Sequence, residues 1–335
     1  MKRTRIGRAA WTLAGIGLLS AAMADETCNS PYISNLIKGQ ESFVHVWTLG
    51  VTGLGDGSDK LVTVDADPHS KSYGKVVGSV SVGGQGEAHH MGFTDDRRFL
   101  WAGTLDDSKI YVFDVGTTPG KPKLIKTITD LPKRTGLVGP HTFYALPGRM
   151  LIGTLSNTHD NGGVTGIALF NNHGTLIRKY DMPTTRIGAA VGDGYGYDLA
   201  VNPAKNVMLS SSFAGRDNYM RDLGEVVKDP AAMKRFGNTM VVWNLKSFRP
   251  TQVLSVPGAP LEIRWGLAPG QNWAITATAL ALSRSRLSSG WPAEATARGW
   301  RWAFMRSAGC SREMGFMVSA LGEAAEFRYH SRPPL

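Results

Sequence analysis

Cysteine is nearly absent from this 335-residue chain, which carries only Cys28 and Cys310. That scarcity excludes a disulfide-stapled scaffold, and no bridge is expected between a residue near the N-terminus and one in an atypical tail. Beyond the first two dozen residues there is no apolar run of membrane-spanning length. There is no nucleophile elbow and no ordered Ser, His and Asp set, which removes the usual hydrolase chemistry. Gly83-Gly84-Gln85-Gly86 has no helical pattern after it and is therefore not a phosphate cradle. Asp95, Asp96, Asp106 and Asp107 lack EF-hand spacing and read as turn chemistry.

Charge is also scarcer than it first looks. Of the formal +10, the head Lys2, Arg3, Arg5 and Arg8 carries +4, and residues 281–335 carry +4 from eight Arg against four Glu, which leaves +2 for the body. A near-neutral body gives no electrostatic footprint for phosphate backbones, so no nucleic-acid partner is expected. The basic head precedes the apolar run from Trp11 to Ala22, and Ala22-Met23-Ala24 offers a small-residue cleavage site. Residues 1–24 thus read as a signal peptide and Asp25 as the mature start, predicting a periplasmic or secreted protein with no membrane span after cleavage.

What is present is a recurring unit. Glu87-Ala88-His89-His90, Pro140-His141-Thr142, Tyr195-Gly196-Tyr197-Asp198 and Leu261-Glu262-Ile263-Arg264 each open one. An apolar strand follows about ten residues later in every case, at Phe99-Leu100-Trp101-Ala102, Met150-Leu151-Ile152-Gly153, Val207-Met208-Leu209-Ser210 and Trp273-Ala274-Ile275-Thr276. The first three units add a third run, at 110–113, 166–170 and 240–243. A period of roughly forty to sixty residues built from short strands and turns predicts an all-β fold, a β-propeller whose innermost strands converge on one axis. The polar openings would meet in that channel.

His89, His90 and His141 are the candidate metal ligands, because imidazole binds copper, zinc and iron. Neighbours on a regular strand face opposite ways, so His89 and His90 can share an ion only where the strand turns or bulges, and the preceding glycines permit such an approach. The alternative is one channel histidine and one held within the sheet. With no cysteine nearby, a blue-copper site is not expected. His45, His69, His159 and His173 read as solvated surface. Asp198 and Glu262 open the next two units, either as acid-base groups or metal ligands, or as structural channel residues paired with Arg264 or Tyr197.

After about Thr278 the alternation stops. The last Asp is Asp229 and the last Lys Lys246, and residues 279–335 turn to Ala, Arg, Ser, Gly and Trp. Such composition is what a GC-rich gene yields when read out of frame. The expectation is therefore a partial propeller over 25–278, with about four to five blades, followed by an irregular tail that replaces the remaining blades.

The same stretches resemble the selenium-binding protein family, whose bacterial members include periplasmic methanethiol oxidases. The matching segments run in family order from Leu61-Val62-Thr63-Val64-Asp65-Ala66-Asp67-Pro68 through Glu87-Ala88-His89-His90-Met91-Gly92, Ile110-Tyr111-Val112-Phe113-Asp114-Val115, Gly139-Pro140-His141-Thr142 and Gly196-Tyr197-Asp198 to Pro260-Leu261-Glu262-Ile263-Arg264. The resemblance implies a seven-bladed propeller and copper-dependent oxidation of methanethiol by oxygen to formaldehyde, hydrogen sulfide and hydrogen peroxide. It implies copper held by His89, His90 and His141, with a small thiol and oxygen as partners. A further family histidine, carried by the later blades, has no counterpart here, which implies an incomplete coordination sphere and leaves open whether the chain is active; the selenium-associated cysteine has none either, which speaks against selenium binding. The rival reading is a non-enzymatic binding propeller.

Overall fold

The computed structural model describes residues 30–34, 40–159, 163–266 and 273–280, and the backbone of 300–306 and 323–329. Five antiparallel sheets follow one another along the chain. The first has three strands: β1 (Phe43–Thr48), β2 (Lys60–Asp65) and β3 (Val76–Ser81). The second joins β4 (Ala88–Phe93), β5 (Phe99–Thr104), β6 (Ile110–Asp114) and β7 (Lys123–Ile128). The third joins β8 (Leu137–Leu146), β9 (Arg149–Asn157), β10 (Gly166–Asn171) and β11 (Leu176–Asp181). After a small ribbon of β12 (Arg186–Ile187) and β13 (Ala190–Val191), the fourth joins β14 (Leu199–Asn202), β15 (Val207–Ser211), β16 (Thr239–Asn244) and β17 (Arg249–Ser255).

The fifth sheet begins with β18 (Pro260–Trp265) and β19 (Trp273–Thr278). It is completed by two strands from the segment expected to be irregular, β20 (Trp300–Arg306) and β21 (Glu323–Tyr329), in the order β18-β19-β21-β20. The irregular reading is thus corrected for those two stretches. The rest of the tail from residue 281 on, the signal peptide, Cys28 and Cys310 lie outside the described residues. Among the described residues no helix is long and apolar enough to cross a membrane.

The stacking of the sheets follows from the period of two along each strand. In β5, Phe99 and Trp101 pack toward the third sheet with Phe143, Ile152 and Phe170, while Leu100 and Ala102 pack toward the first with Trp47 and Leu61. The third sheet repeats this, turning Ile152 and Ala168 to the second and Leu151, Ile167 and Leu169 to the fourth. The fourth sets Leu209, Met240 and Val242 against Ile263, Trp265 and Ala274 of the fifth. Strands buried on both faces read as unbroken apolar runs, which is why the middle strands were visible in the sequence. The outermost strands β7 and β11 instead carry Lys123, Lys126, Arg178 and Lys179 on solvent-facing edges, where charge discourages edge pairing.

The first strands of successive sheets, β1, β4, β8, β14 and β18, touch one another in order and form the wall of the axis. Short helices at Arg216–Tyr219, Leu223–Val226 and Pro230–Met233 interrupt the β rhythm between β15 and β16. Asp229 caps the last by accepting from the backbone of Ala231 and Ala232, and Pro230 occupies the first turn, where its missing N–H costs nothing. Phe213, Val226, Ala232 and Phe236 of this segment close over Ala259 and Leu261, beside Tyr197. Arg216 reaches back to the carbonyls of Leu105 and Asp106.

Candidate metal centre

A two-against-one bulge recurs on the inner strands. In β4, Ala88 pairs with Thr104 and Met91 with Ala102, which leaves His89 and His90 opposite the single Gly103. In β8, Pro140 pairs with Thr154 and Phe143 with Ile152, which leaves His141 and Thr142 opposite Gly153. In β18, Pro260 pairs with Thr278 and Ile263 with Thr276, which leaves Leu261 and Glu262 opposite Ala277. A bulge cancels the alternation of faces for one step, and this is the irregularity that the paired histidines required. Upstream, Glu87 takes the left-handed backbone region at φ 61°, and the Gly86 N–H donates to the buried Asp59 carboxylate at 2.9 Å. A Cβ at Gly86 would lie 2.7 Å from Asp107 Oδ1, so glycine is required there.

Gly103 is equally constrained, because a Cβ would sit 2.7 Å from Phe143 Cζ and 2.9 Å from the Pro140 carbonyl oxygen. Gly103→Ala is expected to destabilise the fold by about 1–3 kcal/mol through overpacking. Urea unfolding of the purified variant checks this, and the same preparation should bind metal less tightly because the bulge opposite Gly103 aims His89 and His90.

The bulges bring the three predicted ligands together. One ring nitrogen from each of His89, His90 and His141 lies within 4.8 Å of the other two. Ring centroids are 4.8 Å apart for His89 and His90, 4.9 Å for His89 and His141, and 4.1 Å for His90 and His141. An ion bound at about 2.0–2.1 Å to each nitrogen needs nitrogens at most about 4.2 Å apart, so small rotamer adjustments suffice. Burial lowers the pKa of His89 to about 4 and of His90 to about 3, with mutual repulsion adding to His90, and holds His141 well below its ordinary value. At neutral pH all three are uncharged, the form that donates a lone pair to a metal.

His141 shows most directly what the site is prepared for. It is fully buried, and among the described residues its Nε2 has no hydrogen-bond partner. Its Nδ1 lies 3.3 Å from Thr142 Oγ1. The single proton of that hydroxyl goes to the Tyr197 carbonyl at 2.9 Å or the Asp198 carboxylate at 3.1 Å, which makes the oxygen an acceptor toward the ring. The proton therefore sits on Nδ1, and Nε2 presents a buried lone pair that a cation would satisfy.

Asp198 and Glu262 are placed differently. Asp198 is wholly buried, and its oxygens accept from Thr142 Oγ1, from the Leu199 N–H at 2.8 Å and from the Ile263 N–H at 2.7 Å, with Arg264 at 3.7 Å. That is the geometry of a tether between β8, β14 and β18. Glu262 is half-buried on the channel side, and its Oε1 accepts from the Tyr197 hydroxyl at 3.2 Å. Both pairings weighed from sequence, with Arg264 and with Tyr197, are thus present. His69, His159 and His173 are exposed as expected. His45 is not: it lies half-buried between the first two sheets, bonded to Thr63 Oγ1 at 3.0 Å and facing Phe93, because it alternates with Trp47 on the inward face of β1. Sequence reasoning gave Thr142 no role, although its place beside His141 in an inner-strand opening was the available signal.

Sheets stacked around an axis, with inner-strand bulges that gather three neutral imidazoles, define a β-propeller with a histidine-rich candidate metal centre. The chain belongs to the 56kDa selenium binding protein (SBP56) family, whose model matches residues 23–294. The match runs past the break expected at residue 278. A methanethiol oxidase of Hyphomicrobium sp is 61% identical over 280 residues, covering 84% of this chain and 63% of that relative. A methanethiol oxidase of Ruegeria pomeroyi is 52% identical over 288 residues, covering 84% and 66%. Among solved structures, a hypothetical selenium-binding protein from Sulfolobus tokodaii superposes with a TM-score of 0.62 at 24% identity, covering 75% of this chain and 58% of the other, and this likeness shows the fold. The chain thus spans just under two thirds of the length of the two bacterial relatives.

Proposed function

We propose that this chain is a copper protein of the methanethiol oxidase type, exported to the periplasm, that turns methanethiol, oxygen and water into formaldehyde, hydrogen sulfide and hydrogen peroxide. The observation that carries the reading is the buried, unpartnered Nε2 of His141 within reach of His89 and His90, in a chain 61% identical to a methanethiol oxidase. His89, His90 and His141 hold the metal. Copper supplies affinity for soft sulfur and electron exchange with oxygen, and neutral imidazoles suit it. Thr142, backed by Asp198, fixes the His141 ring. Glu262, with Oε1 engaged by Tyr197, keeps Oε2 free of any protein hydrogen bond among the described residues and accepts the proton that the thiol gives up. The Tyr197 ring, packed against His141, gives the site an apolar side that favours a small apolar thiol over a larger polar one.

Metal analysis combined with turnover tests this reading. The purified protein is expected to hold one copper per chain and to consume methanethiol with release of hydrogen sulfide and hydrogen peroxide. Copper held without thiol consumption would favour the binding-propeller reading. Absence of copper affinity would overturn both the metal assignment and the activity.

A further inference from the structure

Tyr197 is the residue on which the two halves of the site converge. Its ring lies against His141, with centroids 4.1 Å apart and planes at 44°. Its hydroxyl donates to Glu262 Oε1 at 3.2 Å, and its carbonyl accepts from Thr142 Oγ1 at 2.9 Å. On the far side, the ring meets Phe213 edge-on at 5.4 Å, and Phe213 packs on Phe236 at 5.6 Å. The helical segment between β15 and β16 therefore clamps the tyrosine from outside, and the ring has little freedom to leave His141. The recurring bulge supplies the second half of the geometry. Glu262 occupies in β18 the slot that His90 occupies in β4, the second residue opposite one partner. The device that aims a ligand on one wall thus aims a carboxylate on another, and Tyr197 spans the two.

We propose that Tyr197 is the positioning residue of the centre: its ring fixes the third imidazole, and its hydroxyl orients Glu262 as proton acceptor. The ring half concerns metal binding alone, whereas the hydroxyl half rests on the activity proposed above. A proton leaving the thiol passes to Glu262, which becomes a neutral carboxylic acid, and the tyrosine keeps its own proton before and after. The hydroxyl contributes by holding Oε1, so that Oε2 faces the channel.

Two substitutions separate the halves. Tyr197→Phe keeps the ring and loses the hydroxyl, whereas Tyr197→Leu loses the stacking surface. In titrations of metal-free protein with Cu(II), followed by electron paramagnetic resonance, Tyr197→Phe should bind as the wild type does. Tyr197→Leu should bind about 10–100-fold more weakly with an altered spectrum, the usual effect of removing a residue that orients a ligand. In turnover, Tyr197→Phe should lower kcat about tenfold or more with KM little changed, and the double variant Tyr197→Phe/Glu262→Gln should be no slower than Glu262→Gln alone. Equal Cu(II) binding by Tyr197→Leu would overturn the ring half. Multiplicative losses in the double variant would overturn the hydroxyl half. A wild type that binds Cu(II) without oxidising thiol would sink the activity and the hydroxyl half with it, while the ring half would still stand or fall on the titration.

Discussion

His141→Ala is expected to lower copper affinity by about 100-fold or more and to bring thiol oxidation to background, with the fold retained. Removing a group that only orients a ligand costs about 10–100-fold in affinity, so loss of a ligand itself costs at least the upper end. The stability change should be smaller than for an ordinary buried side chain. Truncation leaves a cavity, but it also removes a ring nitrogen that is buried without a partner in the metal-free protein, and the two effects oppose each other at a few kcal/mol each. Isothermal titration with Cu(II), a thermal melt and an oxidation assay on one preparation check the set. Acid response gives a second signature. The three histidines have folded pKa values below the unfolded value of about 6.5, so the metal-free wild type loses stability as pH falls from that value toward 4. With one of the three absent, His141→Ala should lose less. Unchanged copper affinity in this variant would mean that the metal, if bound, is held elsewhere.

The parts of this molecule that were legible in the sequence are those whose chemistry is local. Phe99 to Ala102, Met150 to Gly153 and Val207 to Leu209 announce strands because their side chains are largely buried on both faces, leaving no polar residue to break the run. His89, His90 and His141 were legible as candidates because two adjacent imidazoles after a glycine-rich loop have few structural uses. What stayed hidden depends on pairing. The bulges cannot be read from β4 or β8 alone, because they are defined by Gly103 and Gly153 on the neighbouring strands. The need for glycine at 103 comes from Phe143, forty residues on. His45 looked like surface because the sequence of β1 does not say which of its faces meets the second sheet. The helices between β15 and β16 were missed although Asp229-Pro230 spells a cap and a first turn, because four-residue helices are too short to show a period.

Asp198→Asn is expected to destabilise the protein by about 2–4 kcal/mol and to weaken copper binding about 10–100-fold. The carboxylate offers an acceptor to three donors on its two oxygens, from Thr142, Leu199 and Ile263. An amide keeps one oxygen and turns an NH2 group toward the other side, where at least one backbone N–H is left buried without a partner at about 1–3 kcal/mol. The strands joined there, β8, β14 and β18, are three of the walls of the channel. The coupling to the metal runs through Thr142, which keeps the Tyr197 carbonyl as an acceptor but loses the Asp198 carboxylate, so the hydroxyl that orients the His141 ring is held less firmly. The pH dependence separates tether from proton acceptor. Burial pushes the Asp198 carboxyl up to about 7, against the lowering effect of the Ile263 and Leu199 amides and of Arg264. Because this folded value exceeds the unfolded one of about 3.9, the folded state holds the proton more tightly, and the group's contribution is full below pH 4 and lost as pH rises through 7. The difference in stability between wild type and Asp198→Asn should therefore vary between pH 4 and 7 and level off above it, as read from urea unfolding across that range. A variant that kept its stability and its copper affinity yet lost turnover would instead make Asp198 a direct participant in proton transfer.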